Sequence, residues 1–247
     1  MTITTPAFLI KKKDYKDSDK IAVFLSKDLG KISGLGKFAK KSIKRNLNLL
    51  DFGFLLNVEL NQNNSKDIYF IEKVTLMENF LHKTNYRKFL ILSYVSELLY
   101  YVVYGEEESA TLFNETVKFF KTISNIHSEN SNVFLSALTL YKIKLLEAIG
   151  YKIITDKCVV CGKEDAIFNY SLEKIGFICN KCCEKSETLT VSKGTKKVIA
   201  NINKNIKLTA PIMLQLDEIF HANIRKIVSI NGYNKIRTLG NIIKNGI

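Results

Sequence analysis

The feature that most constrains this chain is the placement of its cysteines, for all five lie between residues 158 and 183 of a 247-residue sequence. Cys158 and Cys161 form one Cys-x2-Cys pair, seventeen residues follow, and Cys179 and Cys182 form a second. That is the spacing of a four-cysteine zinc site, in which each pair presents two thiolates and the segment between folds back as a hairpin. Four protein ligands close the tetrahedron and leave no position open to a substrate, so the ion expected here, one Zn2+, is structural. Gly162 and Gly176 are expected to supply the turn freedom that such knuckles need. Cys183 remains an alternative fourth ligand or a spare thiol. Clustering of this kind points to a metal in a reducing cytoplasm more than to disulfides.

His127-Ser128-Glu129, followed about thirty residues later by Cys158-x2-Cys161, imitates the ligand pattern of zinc deaminases. The imitation is weak. Lys157 stands where those enzymes carry proline, residues 125–132 read as a loop between helices, and Cys179 and Cys182 would go unused. His127 is expected on the surface, and His82 and His221 have no ligand partners in the sequence.

The first eighty residues read as strands: Ala7–Lys12, Lys20–Ser26 ending at Asp28-Leu29-Gly30, and Lys31–Leu35. In residues 52–60, Phe52, Phe54, Leu56, Val58 and Leu60 alternate with mostly polar neighbours, the mark of a strand with one buried face. Asp67–Leu76 follows after a polar turn. Five short strands fit a small barrel of the oligonucleotide-binding (OB) kind. From Thr84 the period becomes helical, through Phe89, Leu92, Val95, Leu98, Leu99 and Val102, then over Ser109–Ile126 and Asn132–Ile149, where Gly150 is a stop. Helical pattern resumes near Ser192, again after Thr209 with Pro211 in the first turn, and finally over Asn234–Lys244. The apolar stretch Phe89–Tyr104 contains Glu97 and falls short of the roughly 20 residues that span a bilayer, so it reads as a buried helix and no membrane partner is expected. Met1–Phe8 lacks the features of a secretory signal, so a cytoplasmic location is expected.

The formal charge is +13, and it is clustered. Residues 1–50 hold 12 Lys/Arg against 4 Asp/Glu, and residues 188–247 hold 10 against 2. Such ends suit a polyanionic partner. The stretch after Gly36 carries Lys37, Lys40, Lys41, Lys44 and Arg45, with Phe38 interleaved. The cations suit backbone phosphates. Phe38 either stacks on an unpaired base or, the slightly favoured reading, tucks into the barrel. Lys11-Lys12-Lys13 and Lys16 form a second patch diluted by Asp14, Asp17 and Asp19, and Lys193, Lys196, Lys197, Lys204 and Lys207 either extend a binding track or solubilise a helix. There is no phosphate-binding loop, nucleophile elbow or His-Glu-x-x-His motif, so neither catalysis nor a small-molecule substrate is expected. A zinc-containing RNA- or transcription-associated module is the alternative reading of the same features.

Residues 145–151 (Leu-Leu-Glu-Ala-Ile-Gly-Tyr) run straight into Cys158-Val159-Val160-Cys161-Gly162, and Gly176-Phe177-Ile178-Cys179 follows. With Tyr15-x2-Ser18-Asp19-Lys20, Gly30-Lys31-Ile32-Ser33 and residues 221–243, these resemble the zinc-bearing members of the RecO family over nearly the whole chain. The resemblance implies an α+β multidomain protein: an OB-fold β-barrel (residues 1–80), a mainly helical domain (81–157 and 188–247), and an inserted zinc module (158–187). It implies a non-catalytic recombination mediator of DNA repair in the bacterial cytoplasm, associated with the nucleoid. Such a protein binds single- and double-stranded DNA, anneals complementary strands and, with RecR, helps load RecA onto DNA coated with single-strand-binding protein. The family's basic loop corresponds to Lys37, Lys40, Lys41, Lys44 and Arg45, with lysine here where the family often has arginine, which implies fewer bidentate phosphate contacts.

Overall fold

The structure, a computed structural model, describes residues 2–39, 45–62, 68–81, 85–104, 109–128, 130–164, 167–183, 188–204, 206 and 208–228. They fall into two compact units, one ending at His127 and the other beginning at Ser128.

In the first unit, β1 (Thr2–Tyr15), β2 (Asp19–Ser26), β3 (Gly30–Gly36), β4 (Phe54–Gln62) and β5 (Tyr69–Asn79) close into a barrel. The strand order is β1-β2-β3-β5-β4, with β4 returning to β1, and every pairing is antiparallel except β3 with β5. This is the OB barrel that the strand pattern suggests. Its interior takes one side of each strand, including Leu9, Phe24, Leu56, Val58, Leu60 and Val74. The expected alternation in β4 holds at Leu56, Val58 and Leu60, all fully buried. Gly34 permits the closure: a Cβ there would lie 2.7 Å from Cγ1 of Ile71.

β1 is longer than expected because residues 2–6 pair with residues 57–61 of β4 and residues 13–15 pair with residues 19–21 of β2, while its middle is covered on both faces. Ala7 and Leu9 face the barrel core, while the Phe8 ring packs against Phe80, Phe113 and Phe120 at centroid distances of 5.8, 5.4 and 5.0 Å. A bulge between Leu9 and Lys11 takes Ile10 out of the regular alternation and buries it too. The second face is covered by helices α1 (Tyr86–Val102) and α2 (Ser109–Asn125). Asn85 caps α1 by accepting from the Lys88 N–H at 3.0 Å. Two lysines close helix C-termini: Lys31 Nζ donates to the Tyr100 carbonyl of α1 and to that of Val103 just past its end, and Lys88 Nζ donates to Ser124 O of α2 at 2.7 Å. Burial and the charge of Lys11 lower the pKa of Lys31. Among the described residues no helix is long and apolar enough to cross a membrane.

The second unit begins with α3 (Ser131–Ala148), which ends as expected at Gly150, where φ is +86°. The Tyr151 N–H reaches Leu146 O at 2.8 Å and the Gly150 N–H reaches Glu147 O at 3.2 Å, the paired bonds of a Schellman cap. Next come β6 (Ile167–Ser171), β7 (Gly176–Cys179), the single turn α4 (Asn180–Cys183) and β8 (Thr188–Thr190), with the sheet ordered β7-β6-β8. α5 (Lys193–Ala200) is capped by Ser192, which accepts from the Thr195 N–H at 3.1 Å. α6 (Ala210–Ile227) begins at Thr209, whose side chain makes no cap bond although its position suggested one. Tyr170 of β6 and Asn223 of α6 are both buried and exchange hydrogen bonds of 3.0 and 2.7 Å, which fixes the small sheet to the helix. Burial raises the pKa of Tyr170 although Asn223 opposes it, so the phenol stays protonated. The helix expected at Asn234–Lys244 lies outside the described residues.

Candidate nucleic-acid interface and metal centre

The basic stretch leaves the barrel at the end of β3. Lys37 is exposed and its Nζ lies 4.6 Å from the centroid of the Phe70 ring. Phe38 corrects the reading that placed its ring inside the barrel: it is 60% exposed, and the next residue, Ala39, takes the interior position at 1%. A left-handed backbone at Phe38 (φ 54°) makes that exchange, with its N–H held by Asp19 Oδ1 at 2.8 Å. Arg45 ties the two ends of the stretch together by donating from Nη2 to the Lys37 carbonyl, and its own carbonyl accepts from the Val74 N–H at 3.0 Å. Lys40, Lys41 and Lys44 lie outside the described residues.

Strand register gathers further groups at this end of the barrel. Lys20 pairs with Gly36, Tyr15 with Asp19, and Leu35 with Phe70. Tyr15 is 41% exposed, with the Lys16 ammonium 5.4 Å from its ring. Tyr15, Lys16, Lys37, Phe38 and Phe70 therefore interleave cations and rings, the combination that binds unpaired strands. Neither Tyr15 nor Phe70 stands out in the sequence as a binding residue: the pairing of Tyr15 with Asp19 and the parallel pairing of β3 with β5 bring them to this end of the barrel. Of the second patch, Lys12 is paired with Asp51 at 2.7 Å and Lys11 lies 3.8 Å above the Tyr100 ring. In the other unit Lys193, Lys196 and Lys197 are on α5, Lys204 follows it exposed, and Lys207 lies outside the described residues.

The four cysteines of the two pairs come together, with all their sulfurs within 4.8 Å of one another. Cys161 and Cys179 are 3.7 Å apart, against about 3.8 Å for the edge of a tetrahedron with metal–sulfur bonds of about 2.3 Å. The first pair sits on a turn in which Gly162, at φ +75°, donates to Cys158 O at 2.8 Å, while the Val159 N–H reaches Phe177 O of β7 at 3.0 Å. The second pair spans the end of β7 and α4. Gly176 plays a different part from the one expected. Its φ is not positive, and it is required by close approach, since a Cβ there would lie 2.5 Å from Cγ1 of Val159. Cys183 stands apart from the four, its sulfur 3.4 Å from Thr188 Oγ1.

Electrostatics favour a thiolate at the centre of this cluster. Burial pushes the Cys158 thiol up, but hydrogen bonds from the backbone N–H groups of Cys161, Cys179 and Val160 outweigh it and bring the pKa to about 6. The hydrogen bond with Cys179, burial and the other sulfurs push Cys182 the opposite way. Four sulfurs that cannot all ionise without a cation, gathered within 4.8 Å of one another and with backbone donors already facing one of them, fit a metal ion. His127 is exposed and is not among the residues whose ligand atoms gather, which removes the deaminase-like pairing. His221 instead pairs with Asp217 at 3.1 Å.

Two family models match the chain: that of the recombination protein O N terminal over residues 1–80 and that of the recombination protein O C terminal over residues 83–224. The chain belongs to the recombination protein O (RecO) family. Among its relatives, the DNA repair protein RecO of Clostridium perfringens is 29% identical over 232 residues, covering 92% of this chain and 90% of the relative. That of Clostridium kluyveri is 28% identical over 247 residues, covering 98% and 93%, and that of Caldanaerobacter subterraneus is 28% identical over 183 residues, covering 74% and 72%.

Proposed function

We propose that this RecO-family protein is a non-catalytic recombination mediator of DNA repair. It binds single- and double-stranded DNA and anneals complementary strands. With RecR it helps load RecA onto strands coated with single-strand-binding protein. The observation that carries the reading is the barrel end where the exposed Phe38 and Tyr15 rings stand among Lys16 and Lys37. The cations neutralise phosphates and the rings stack on bases without regard to sequence, so the protein holds a strand while leaving its pairing edges available. That is what annealing requires. Names of relatives 28–29% identical to this chain support the DNA repair role.

Cys158, Cys161, Cys179 and Cys182 would hold one Zn2+, whose chemistry in a closed four-thiolate site is to cross-link the two turns. The ion braces the β6–β7 hairpin and takes no part in reading DNA. The test is annealing of complementary strands coated with single-strand-binding protein, followed with and without RecR. Acceleration by this protein, altered by RecR, is the expected result. No acceleration over the uncatalysed rate refutes the reading.

A further inference from the structure

A cavity of about 390 Å3 opens between β1 and α1, lined among others by Ile10, Phe52, Ser93, Glu97, Tyr100 and Tyr101. We propose that it seats one unpaired nucleobase bearing an exocyclic amine, cytosine or adenine, with the attached phosphate held at the mouth by Lys11; this rests on the DNA-binding reading above. The volume lies within the range of about 300–1,000 Å3 found for small-molecule sites. Its walls are mainly apolar, and its rings are already fixed: Phe52 meets Phe89 edge-on at 5.0 Å, and Tyr100 meets Tyr101 edge-on at 5.0 Å. The bulge at Ile10 breaks the alternation of β1 where the strand borders the cavity.

Two polar groups specify the occupant. Ser93 Oγ is buried and has no hydrogen-bond partner among the described residues, a costly state that a ligand with a donor or acceptor relieves. Ser93 is itself one of the residues that line the cavity. Glu97 adds a carboxylate acceptor, the group that pairs with an exocyclic amine such as that of cytosine. The same carboxylate disfavours a bound carboxylate, such as the end of a peptide chain, inside the cavity. At the mouth Lys12 is engaged by Asp51, whereas Lys11 is exposed with its ammonium 3.8 Å from the Tyr100 ring centroid, where a phosphate can meet it.

The test uses the full chain and two single-stranded oligodeoxynucleotides, one entirely of thymidine and one with a central 2-aminopurine, an amine-bearing base whose fluorescence is quenched by stacking. The protein has no tryptophan to interfere with that signal. Binding is expected to quench the 2-aminopurine. Glu97→Gln, which preserves shape, and Ser93→Leu, which fills the cavity, are expected to relieve the quench and weaken binding of that oligonucleotide about tenfold while leaving the all-thymidine one unchanged. Quenching that is absent, or that survives in Glu97→Gln, overturns the base seat and leaves the DNA-binding reading standing. Failure to bind either oligonucleotide overturns both. A short peptide with an apolar carboxyl-terminal residue that binds the protein, displaces the 2-aminopurine and loses its affinity in Ser93→Leu makes the cavity a protein-tail site and also overturns the proposal.

Discussion

Replacing Asp217 should harm the protein far more than replacing its partner, although the two form one ion pair. Lys142 of α3 and Asp217 of α6 meet at 2.5 Å, and the lysine side chain is 5% exposed against 38% for the aspartate. His221 Nε2 lies 3.1 Å from the other carboxylate oxygen. Asp217→Ala removes this carboxylate from an ammonium that remains buried over the Phe220 ring, at a cost of about 3 kcal/mol, the low end for a broken buried pair because water reaches the outer face of Asp217. Lys142→Met keeps the packing volume and leaves Asp217 with His221 and solvent, at a cost of about 1 kcal/mol or less. Urea unfolding with unchanged slope is the assay. Equal losses in the two variants would refute the stranded-charge argument. Asp217 also sets a pH dependence. Burial raises its pKa, but the hydrogen bond from His221 and the charge of Lys142 outweigh burial and hold the carboxyl well below the usual carboxylate range. A depressed folded pKa stabilises above the unfolded value of about 4 and is lost as pH falls below it. The gap between wild type and Asp217→Ala should therefore be widest at neutral pH and shrink as the solution is acidified below pH ~4.

Removing the metal with a strong chelator, or Cys158→Ser, is expected to lower the melting temperature by roughly 10 °C or more while oligonucleotide affinity, measured below the transition, stays the same; a metal-free protein of unchanged stability would contradict the bracing role. Gly176→Ala is expected to cost about 1–3 kcal/mol by driving a methyl into Val159, and the double variant with Val159→Ala should recover most of it in a double-mutant cycle. Phe38→Ala should leave stability unchanged, since the ring is exposed, but weaken binding of single strands by about 1–3 kcal/mol if the ring stacks. Equal affinity in fluorescence anisotropy would remove Phe38 from the interface.

Much of the fold was legible in the sequence because the apolar period states it. The alternation through Leu56, Val58 and Leu60 and the helical stripe from Leu92 to Val102 both reappear as buried faces. Gly150 and the Cys-x2-Cys pairs were equally legible, because each needs one residue type at one spacing. What escaped depends on contacts distant in sequence. β1 extends past its expected ends because residues 2–6 and 13–15 find partners in β4 and β2, and Phe8 and Ile10 are buried by helices, neither of which alternation alone reveals. Phe38 and Ala39 exchange roles through one left-handed residue. Gly176 looked like a turn glycine and is instead the point where two segments touch. Phe70 joins Lys37 only through the one parallel pairing of the barrel.

The central claim, that cations and rings at one end of the OB barrel bind DNA strands, is tested most directly by the salt dependence of single-strand affinity. The logarithm of the binding constant is expected to fall linearly with the logarithm of salt concentration, and Lys37→Ala should flatten that slope by about 0.7, one phosphate contact. A slope near zero in the wild type, or one untouched by Lys37→Ala together with Lys16→Ala, would contradict the account.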